Sequence, residues 1–325
     1  MTGEAAWSLR AACPIPPRIS PHTEDVHRWW CGWLDRFGLP LDAAARDRLT
    51  AAGFARYAGR LHPTATPADL RTVTALFTWF FLVDDACEAT PVRSGVRWLR
   101  QLRSGAREIL RPGPCNRNSA FDGPLRQLLV AAWREPKRRM PAYWRTRFAD
   151  AVDDHLAGAL TEIGNRTAGR EPGVEEYVEL RRATSAAYVS YPLVEFTTGR
   201  PLPDAVYHHP ALRAVGTAGN DLLSWFNDLV SLDRDRAADG GHNLVLAMAR
   251  EHRVPLHGAV DLVVRRWEAR MRQFVDLRAA VPSFGPGLDG AVRAHLDGVA
   301  DAVRGTIDWS VESARYPTAL PVPPP

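Results

Sequence analysis

The chain is nearly without lysine: of its 41 basic residues only Lys137 is one, and arginine takes every other place. Those arginines are scattered among acids, so a formal charge of +4 and a pI near 9.1 do not describe a nucleic-acid surface. The densest basic stretch, Arg134 to Arg139 with Arg145 and Arg147, reads as a solvated turn. Cysteine is scarce as well. Cys13, Cys31, Cys87 and Cys115 form no CxxC pair, which excludes a disulfide framework and a cysteine-rich zinc site and implies a reducing, cytoplasmic setting. The longest strongly apolar run, Thr72 to Val83, is shorter than the roughly 20 residues of a membrane span, and the N-terminus lacks the layout of a signal peptide. Alternating β-branched runs are missing, as are GxGxxG, Walker and Ser-His-Asp arrangements.

Helical periodicity is what the chain does have. It predicts helices over 22–37, 41–58, 67–88, 93–110, 123–136, 141–167, 174–199, 208–236, 241–252, 256–280 and 286–312. The start at Thr66-Pro67-Ala68-Asp69 combines a cap hydroxyl, proline at the first helical position and an early acid. No period repeats, and no linker divides the chain. The organisation expected is an N-terminal segment over 1–20, partly ordered, one all-α domain over 21–316, and a Pro-rich tail over 317–325. Trp29, Trp30 and Trp33 read as core. Asp153-Asp154-His155 reads as a surface helix face, because no second His-rich element accompanies it.

An acid interrupts an apolar stripe. Measured from Val73, Phe77, Phe80 and Asp84 fall at about 40°, −20° and 20° around the helix, with Glu88 at about 60° and Asp85 at the edge. An ionised carboxylate on a buried face needs a cation or a water-filled recess. Three acids here suit a hard divalent ion such as Mg²⁺; they equally suit an exposed helix end paired with arginines. A second pattern lies at Asn227, Ser231 and Asp235, spaced every four residues and drifting only ~40° per step. An amide oxygen, a hydroxyl and a carboxylate on one side form an oxygen triad for Mg²⁺, although such spacing also occurs in solvated helices. Arg234 points to the same side, a placement that suits a metal–phosphate complex better than a bare metal.

Taken together, these residues resemble the class I terpene synthases of the bacterial cyclase type. Asp84-Asp85-Ala86-Cys87-Glu88 is similar to the family's aspartate-rich motif, and Asn227 through Asp235 to its Asn/Ser/acid motif. Phe80-Phe81 matches the aromatic lead-in and Arg315-Tyr316 the C-terminal Arg-Tyr pair. Arg181, forty-six residues before Asn227, takes the place of the diphosphate-sensing arginine, and Gly240-Gly241-His242-Asn243 resembles the turn after the second motif. Two positions depart from the pattern. Asp235 stands where glutamate is commoner, and Thr184 and Ser185 follow the sensor where the family varies between products.

The resemblance implies a single-domain α-bundle with a central active-site cavity. It implies Mg²⁺-dependent ionisation and cyclisation of a prenyl diphosphate, by analogy farnesyl diphosphate, to a sesquiterpene hydrocarbon or alcohol. Asp84, Asp85 and Glu88 would hold two Mg²⁺, with Asp84 the most direct ligand, and Asn227, Ser231 and Asp235 a third. Arg181, Arg234, Arg315 and Tyr316 would bind the diphosphate, with Asp84, Arg181, Arg315 and Tyr316 catalytic. Phe77, Phe80, Phe81, Thr184, Ser185 and Trp309 would line the cavity. The expected partner is the prenyl diphosphate, without nucleic acid or membrane insertion, and with a homodimer left open. The alternatives are a diterpene cyclase using geranylgeranyl diphosphate and, in another class, a non-catalytic helical binding protein. A chain-elongating prenyltransferase fits less well, because those enzymes carry two Asp-rich motifs.

Overall fold

A computed structural model describes residues 2–89, 92–111, 121–237 and 242–316. The described residues form α-helices and one short 3-10 turn, with no strand among them. In chain order the helices are α1 (Thr2–Ala12), α2 (Thr23–Leu34), α3 (Ala43–Ala52), α4 (Phe54–Leu61), α5 (Pro67–Ala89), α6 (Val92–Leu110), α7 (Pro124–Arg139) and α8 (Ala142–Thr167). They continue as α9 (Val174–Thr184), α10 (Ala187–Thr198), α11 (Asp204–Tyr207), α12 (Pro210–Ala237), α13 (Leu244–His252), α14 (Leu256–Ala279) and α15 (Asp289–Glu312). None of the described helices is long and apolar enough to cross a membrane.

Local chemistry sets several boundaries. The Thr66 hydroxyl accepts from Asp69 N ahead of Pro67, and Asp42 and Asn243 cap α3 and α13 by accepting from Ala45 N and Val245 N. The helix expected over 41–58 is two helices. Gly53 takes the left-handed conformation at φ 68° and turns the chain between α3 and α4. At the N-terminus, α1 buries Ala6 and Leu9 and ties Arg10 to Asp308 at 2.7 Å. Arg60 and Arg304 reach the same carboxylate at 3.2 and 3.0 Å, so three arginines neutralise a fully buried acid on α15. The Pro-rich tail lies outside the described residues.

Helix α5 is buried along most of its length, from Leu70 to Val83, as befits a helix surrounded by others. Its two interior threonines return their hydroxyls to the carbonyls four residues back, and Thr78 also accepts from Trp30 Nε1 at 2.7 Å. Trp30 and Trp33 are core, with Trp29 stacked against Trp33 at 5.3 Å. Helices α10, α12 and α15 close the interior. A glycine allows one of these approaches: a Cβ at Gly298 on α15 would stand 2.4 Å from both methyls of Val194 on α10. The stretch expected as a basic turn is the end of α7, where Arg138 pairs with Glu135 at 2.7 Å and Arg139 pairs with Asp69.

Candidate active site

The bundle encloses a cavity of about 290 Å³. Asp84 on α5 and Asn227, Arg234 and Asp235 on α12 line it together, so two stretches remote in sequence share one space. Phe77, Phe80 and Phe81 form an aromatic wall below Asp84, joined by Trp309. Thr184 and Ser185 also line it.

At the first motif, Arg315 donates to Asp85 Oδ1 at 2.7 Å and to Asp84 Oδ2 at 3.3 Å. The Asp84 side chain is 58% exposed, open to the cavity mouth, whereas Arg315 is only 10% exposed. Arg315 also covers the Phe81 ring at 5.1 Å, so one guanidinium joins the acidic rim to the aromatic wall. The side chain of Glu88 lies outside the described residues.

At the second motif, Ser231 donates to Asp235 Oδ2 at 2.6 Å, and Asn243 Nδ2 donates to the same oxygen at 2.9 Å. Asn227 Oδ1 accepts from Arg181 at 2.9 Å, and its Nδ2 donates to the Tyr316 hydroxyl at 2.9 Å. Ser231 is buried beneath the cavity surface. Arg234 lies 5.5 Å from the Tyr316 ring and 3.4 Å from Asp235. Gly240 and Gly241, part of the turn beyond this motif, lie outside the described residues.

No three Asp, Glu, His or Cys side chains converge as a ready-made cluster among the described residues. The carboxylates are instead met by arginines. The donor set is nonetheless carboxylate, amide and hydroxyl oxygen at the rim of one cavity, the chemistry that hard divalent ions take, and Ser231 and Asp235 already stand close enough to share one ion.

Arg181 has an arginine beside it, Arg182, and the fold separates the two. Arg182 turns away to pair with Asp221 at 2.7 Å. Arg181 lines the cavity, held by Asp228 Oδ1 at 2.9 Å. Burial opposes its charge, but Asp228, Tyr177 and Glu162 raise its pKa above the ordinary arginine value. Asp228 also accepts from the Tyr177 hydroxyl at 2.6 Å and from Leu244 N at 3.0 Å, so it anchors Arg181 from within the core. The helix expected over 174–199 breaks beside this arginine. Ala186 adopts φ 60°, the Ser185 hydroxyl donates to Asn220 Oδ1 at 2.7 Å, and Asn220 Nδ2 donates to the Arg182 carbonyl at 2.9 Å. A buried amide on α12 therefore makes the break; no glycine or proline stands at that point to announce it.

Several lining residues were not anticipated from the sequence. Tyr57 packs against Trp309 at 4.6 Å and Phe77 at 5.1 Å, and burial pushes its hydroxyl up to about 12. Glu162 faces His242 at 3.5 Å; against burial, which would raise it, His242, Arg181 and Arg166 hold its carboxyl below the ordinary range. His155 corrects the surface-face reading of its triplet. Asp153 is buried beneath Arg103 and Arg107, His155 lines the cavity, and only Asp154 is exposed. For Glu162 and His155 the signal was helical register: seven residues apart on α8, they share a face.

A helical bundle with a polar, arginine-rich mouth over an aromatic hollow defines a class of enzyme that binds an anionic head and encloses an apolar tail. Comparison with known proteins agrees. Residues 75–273 match the family described as terpene synthase family 2, C-terminal metal binding. The chain is 28% identical over 307 residues to 10-epi-cubebol synthase of Sorangium cellulosum, covering 94% of this chain and 96% of that protein. It is 27% identical over 310 residues to the (2E,6E)-farnesyl diphosphate-cyclizing (+)-T-muurolol synthase of Roseiflexus castenholzii, covering 95% and 94%. The crystal structure of linalool/nerolidol synthase from Streptomyces clavuligerus superimposes with a TM-score of 0.79 at 23% identity, over 92% of this chain and 99% of that one, a likeness of fold. The chain belongs to terpene synthase family 2 and is a class I terpene synthase, a carbon–oxygen lyase acting on prenyl diphosphates. A divalent metal is the cofactor that this family's metal-binding region implies.

Proposed function

We propose that this enzyme ionises and cyclises farnesyl diphosphate, with Mg²⁺, to a sesquiterpene. The observation that carries the reading is the shared cavity: Asp84, Asn227 and Asp235 at one end, and Phe77, Phe80, Phe81 and Trp309 beneath them. A relative that covers nearly the same length cyclises farnesyl diphosphate, and a cavity near the lower end of the roughly 300–1,000 Å³ of ligand sites suits a fifteen-carbon chain better than a longer one.

Asp84, Asp85 and Glu88 on one side and Asn227, Ser231 and Asp235 on the other are the residues that would hold three Mg²⁺. Ions there would supply Lewis-acid neutralisation of the leaving diphosphate. Arg181, Arg234 and Arg315 donate charge-assisted hydrogen bonds to diphosphate oxygens, and Tyr316 adds a neutral donor. Arg315 and Tyr316 close over the head group because they reach α5 and α12 from one short segment. That closure excludes water from the allylic cation. The aromatic faces stabilise the cation without offering it a nucleophile, by roughly 0.5–2 kcal/mol each.

The test is incubation of the purified chain with C10, C15 and C20 prenyl diphosphates and Mg²⁺, followed by gas chromatography. A cyclic C15 product from farnesyl diphosphate is expected. Turnover of the C20 substrate alone would make the enzyme a diterpene cyclase, and no product from any substrate would overturn the reading.

A further inference from the structure

Among the described residues of the cavity wall, His155 has a ring nitrogen whose hydrogen its hydrogen bond dictates. Its Nδ1 lies 3.2 Å from the carbonyl oxygen of Ala183. A carbonyl can only accept, so Nδ1 carries a hydrogen, and in the neutral ring Nε2 carries the lone pair. No hydrogen bond to Nε2 is found among the described residues, and the half-buried ring lines the cavity.

The helix break is what frees that carbonyl. In an unbroken helix the Ala187 N–H would point to Ala183 O; here it donates to the Ser185 hydroxyl at 3.2 Å. Phe80 meets the imidazole edge to face, with centroids 5.6 Å apart at 87°, and fixes the ring plane. Burial is the main influence lowering the imidazole pKa, and Arg181 adds to it. The Ala183 hydrogen bond, Asp84 and Glu162 oppose them, and the net result favours the neutral ring.

We propose that His155 is the catalytic base that ends the reaction, taking a proton from the final carbocation through Nε2. The inference rests on the cyclase reading above. In the step, a C–H bond next to the cationic carbon breaks and its electron pair becomes the second bond of an alkene. The proton bonds to Nε2, leaving an imidazolium that passes it to solvent when the cavity opens. Phe80 lies about one helical turn below Asp84, so its partner His155 serves carbons away from the diphosphate end. The product is therefore an olefin whose double bond lies where His155 reaches.

The experiment compares wild-type, His155→Gln and His155→Phe enzymes with farnesyl diphosphate and Mg²⁺, measuring the main olefin formed per diphosphate released. Phe keeps a ring against Phe80 without a lone pair; Gln keeps polarity in a smaller volume. The ratio is expected to fall at least tenfold in both, with olefins of other double-bond position or alcohols in its place. An unchanged product spectrum in either folded variant would overturn the proposal and make the departing diphosphate the base. A wild-type product consisting only of alcohol would also overturn it. A second reading needs no turnover: ¹⁵N–¹H spectra of the wild-type side chains should show His155, assigned by its loss in His155→Gln, as the Nδ1–H tautomer at neutral pH. An Nε2–H tautomer or an imidazolium would refute the assignment. If wild-type enzyme releases no diphosphate from any prenyl substrate, it is the cyclase reading that fails.

Discussion

The Tyr316 hydroxyl accepts a hydrogen bond from Asn227 Nδ2 at 2.9 Å, while the preceding residue, Arg315, donates to Asp85 at 2.7 Å. Two consecutive residues near the end of the chain thus bridge the helices that carry the two motifs. The Trp309 indole and the Ser313 hydroxyl both donate to the Ala52 carbonyl, at 2.8 and 2.9 Å, and hold this segment in place. On the proposed function, recognition of the head group and closure of the cavity would be one structural event.

Removing either motif should stop the chemistry. Asp84→Asn and Asn227→Ala are each expected to lower product formation by roughly 100-fold or more, the scale of losing one charge-stabilising group. Chelation of divalent metal should do the same to the wild type, reversibly. Diphosphate release, read with circular dichroism to confirm folding, is the measurement.

Asp228 should matter for stability as much as for rate. It is buried and carries Arg181, Tyr177 and Leu244 N. Asp228→Asn leaves Arg181 without its counter-charge, so a loss of about 3–5 kcal/mol in urea unfolding is expected. A loss of substrate ionisation should accompany it, because Arg181 is no longer aimed at the cavity.

The aromatic wall should control how far cyclisation proceeds. Phe81 stacks on Phe54 at 4.4 Å and meets Trp309 at 5.4 Å, so Phe81→Leu removes one ring of the aromatic wall while keeping an apolar surface. Early-quenched products are expected to rise roughly 2- to 30-fold relative to the main product, the equivalent of 0.5–2 kcal/mol. Gas chromatography reads the ratio.

Acid should weaken the fold through buried histidines. Burial pushes His62 down to about 3 and His295 down to about 4, whereas unfolded histidine titrates near 6.5. Between those values the unfolded state binds protons that the native state refuses, so stability falls as pH drops below about 6.5. Glu195, raised by burial to about 7 despite Arg147, acts oppositely, costing stability as pH rises from about 4.5 to its folded value. Single variants separate the two. The stability advantage of wild type over His62→Gln should shrink by about 1.4 kcal/mol per pH unit below 6.5. Wild type over Glu195→Gln should lose advantage with rising pH instead. Denaturant titrations at pH 4.5, 5.5 and 6.5 check both signs.

Close helix contact should be intolerant of a single methyl. Gly298→Ala pushes a Cβ into Val194, in a contact between two buried helices, and is expected to destabilise by about 1–3 kcal/mol. Pairing it with Val194→Ala should restore part of the loss.

Most of the helices and the family were legible because they rest on local signals. Periodic apolar residues, the Thr66-Pro67 start and the breaker-rich stretches lie within a turn or two of what they determine. The acid on an apolar face at Asp84 and the four-residue spacing from Asn227 were visible for the same reason. The reading failed where the determinant was distant. The break at Ser185-Ala186 is imposed by Asn220 from another helix; the division of the 41–58 helix, by contrast, has a local cause in Gly53 at φ 68°, a signal passed over. His155 was set aside because no second His-rich element accompanies it, yet it and the exposed Asp154, adjacent in the helix, point about 100° apart.

The sequence by itself therefore determined an all-α chain and the residue types that can bind an anionic head group, from periodicity, spacing and side-chain chemistry, and its motifs carried the resemblance to the terpene synthase family. Tertiary structure alone decided which of two adjacent arginines enters the cavity, that Arg315 and Tyr316 reach opposite helices, and which nitrogen of His155 meets the Ala183 carbonyl. Each of those outcomes depends on a partner dozens to hundreds of residues away, Asp228 for Arg181, Asp85 for Arg315, Asn227 for Tyr316 and Ala183 for His155, and such a partner is selected only when the helices pack.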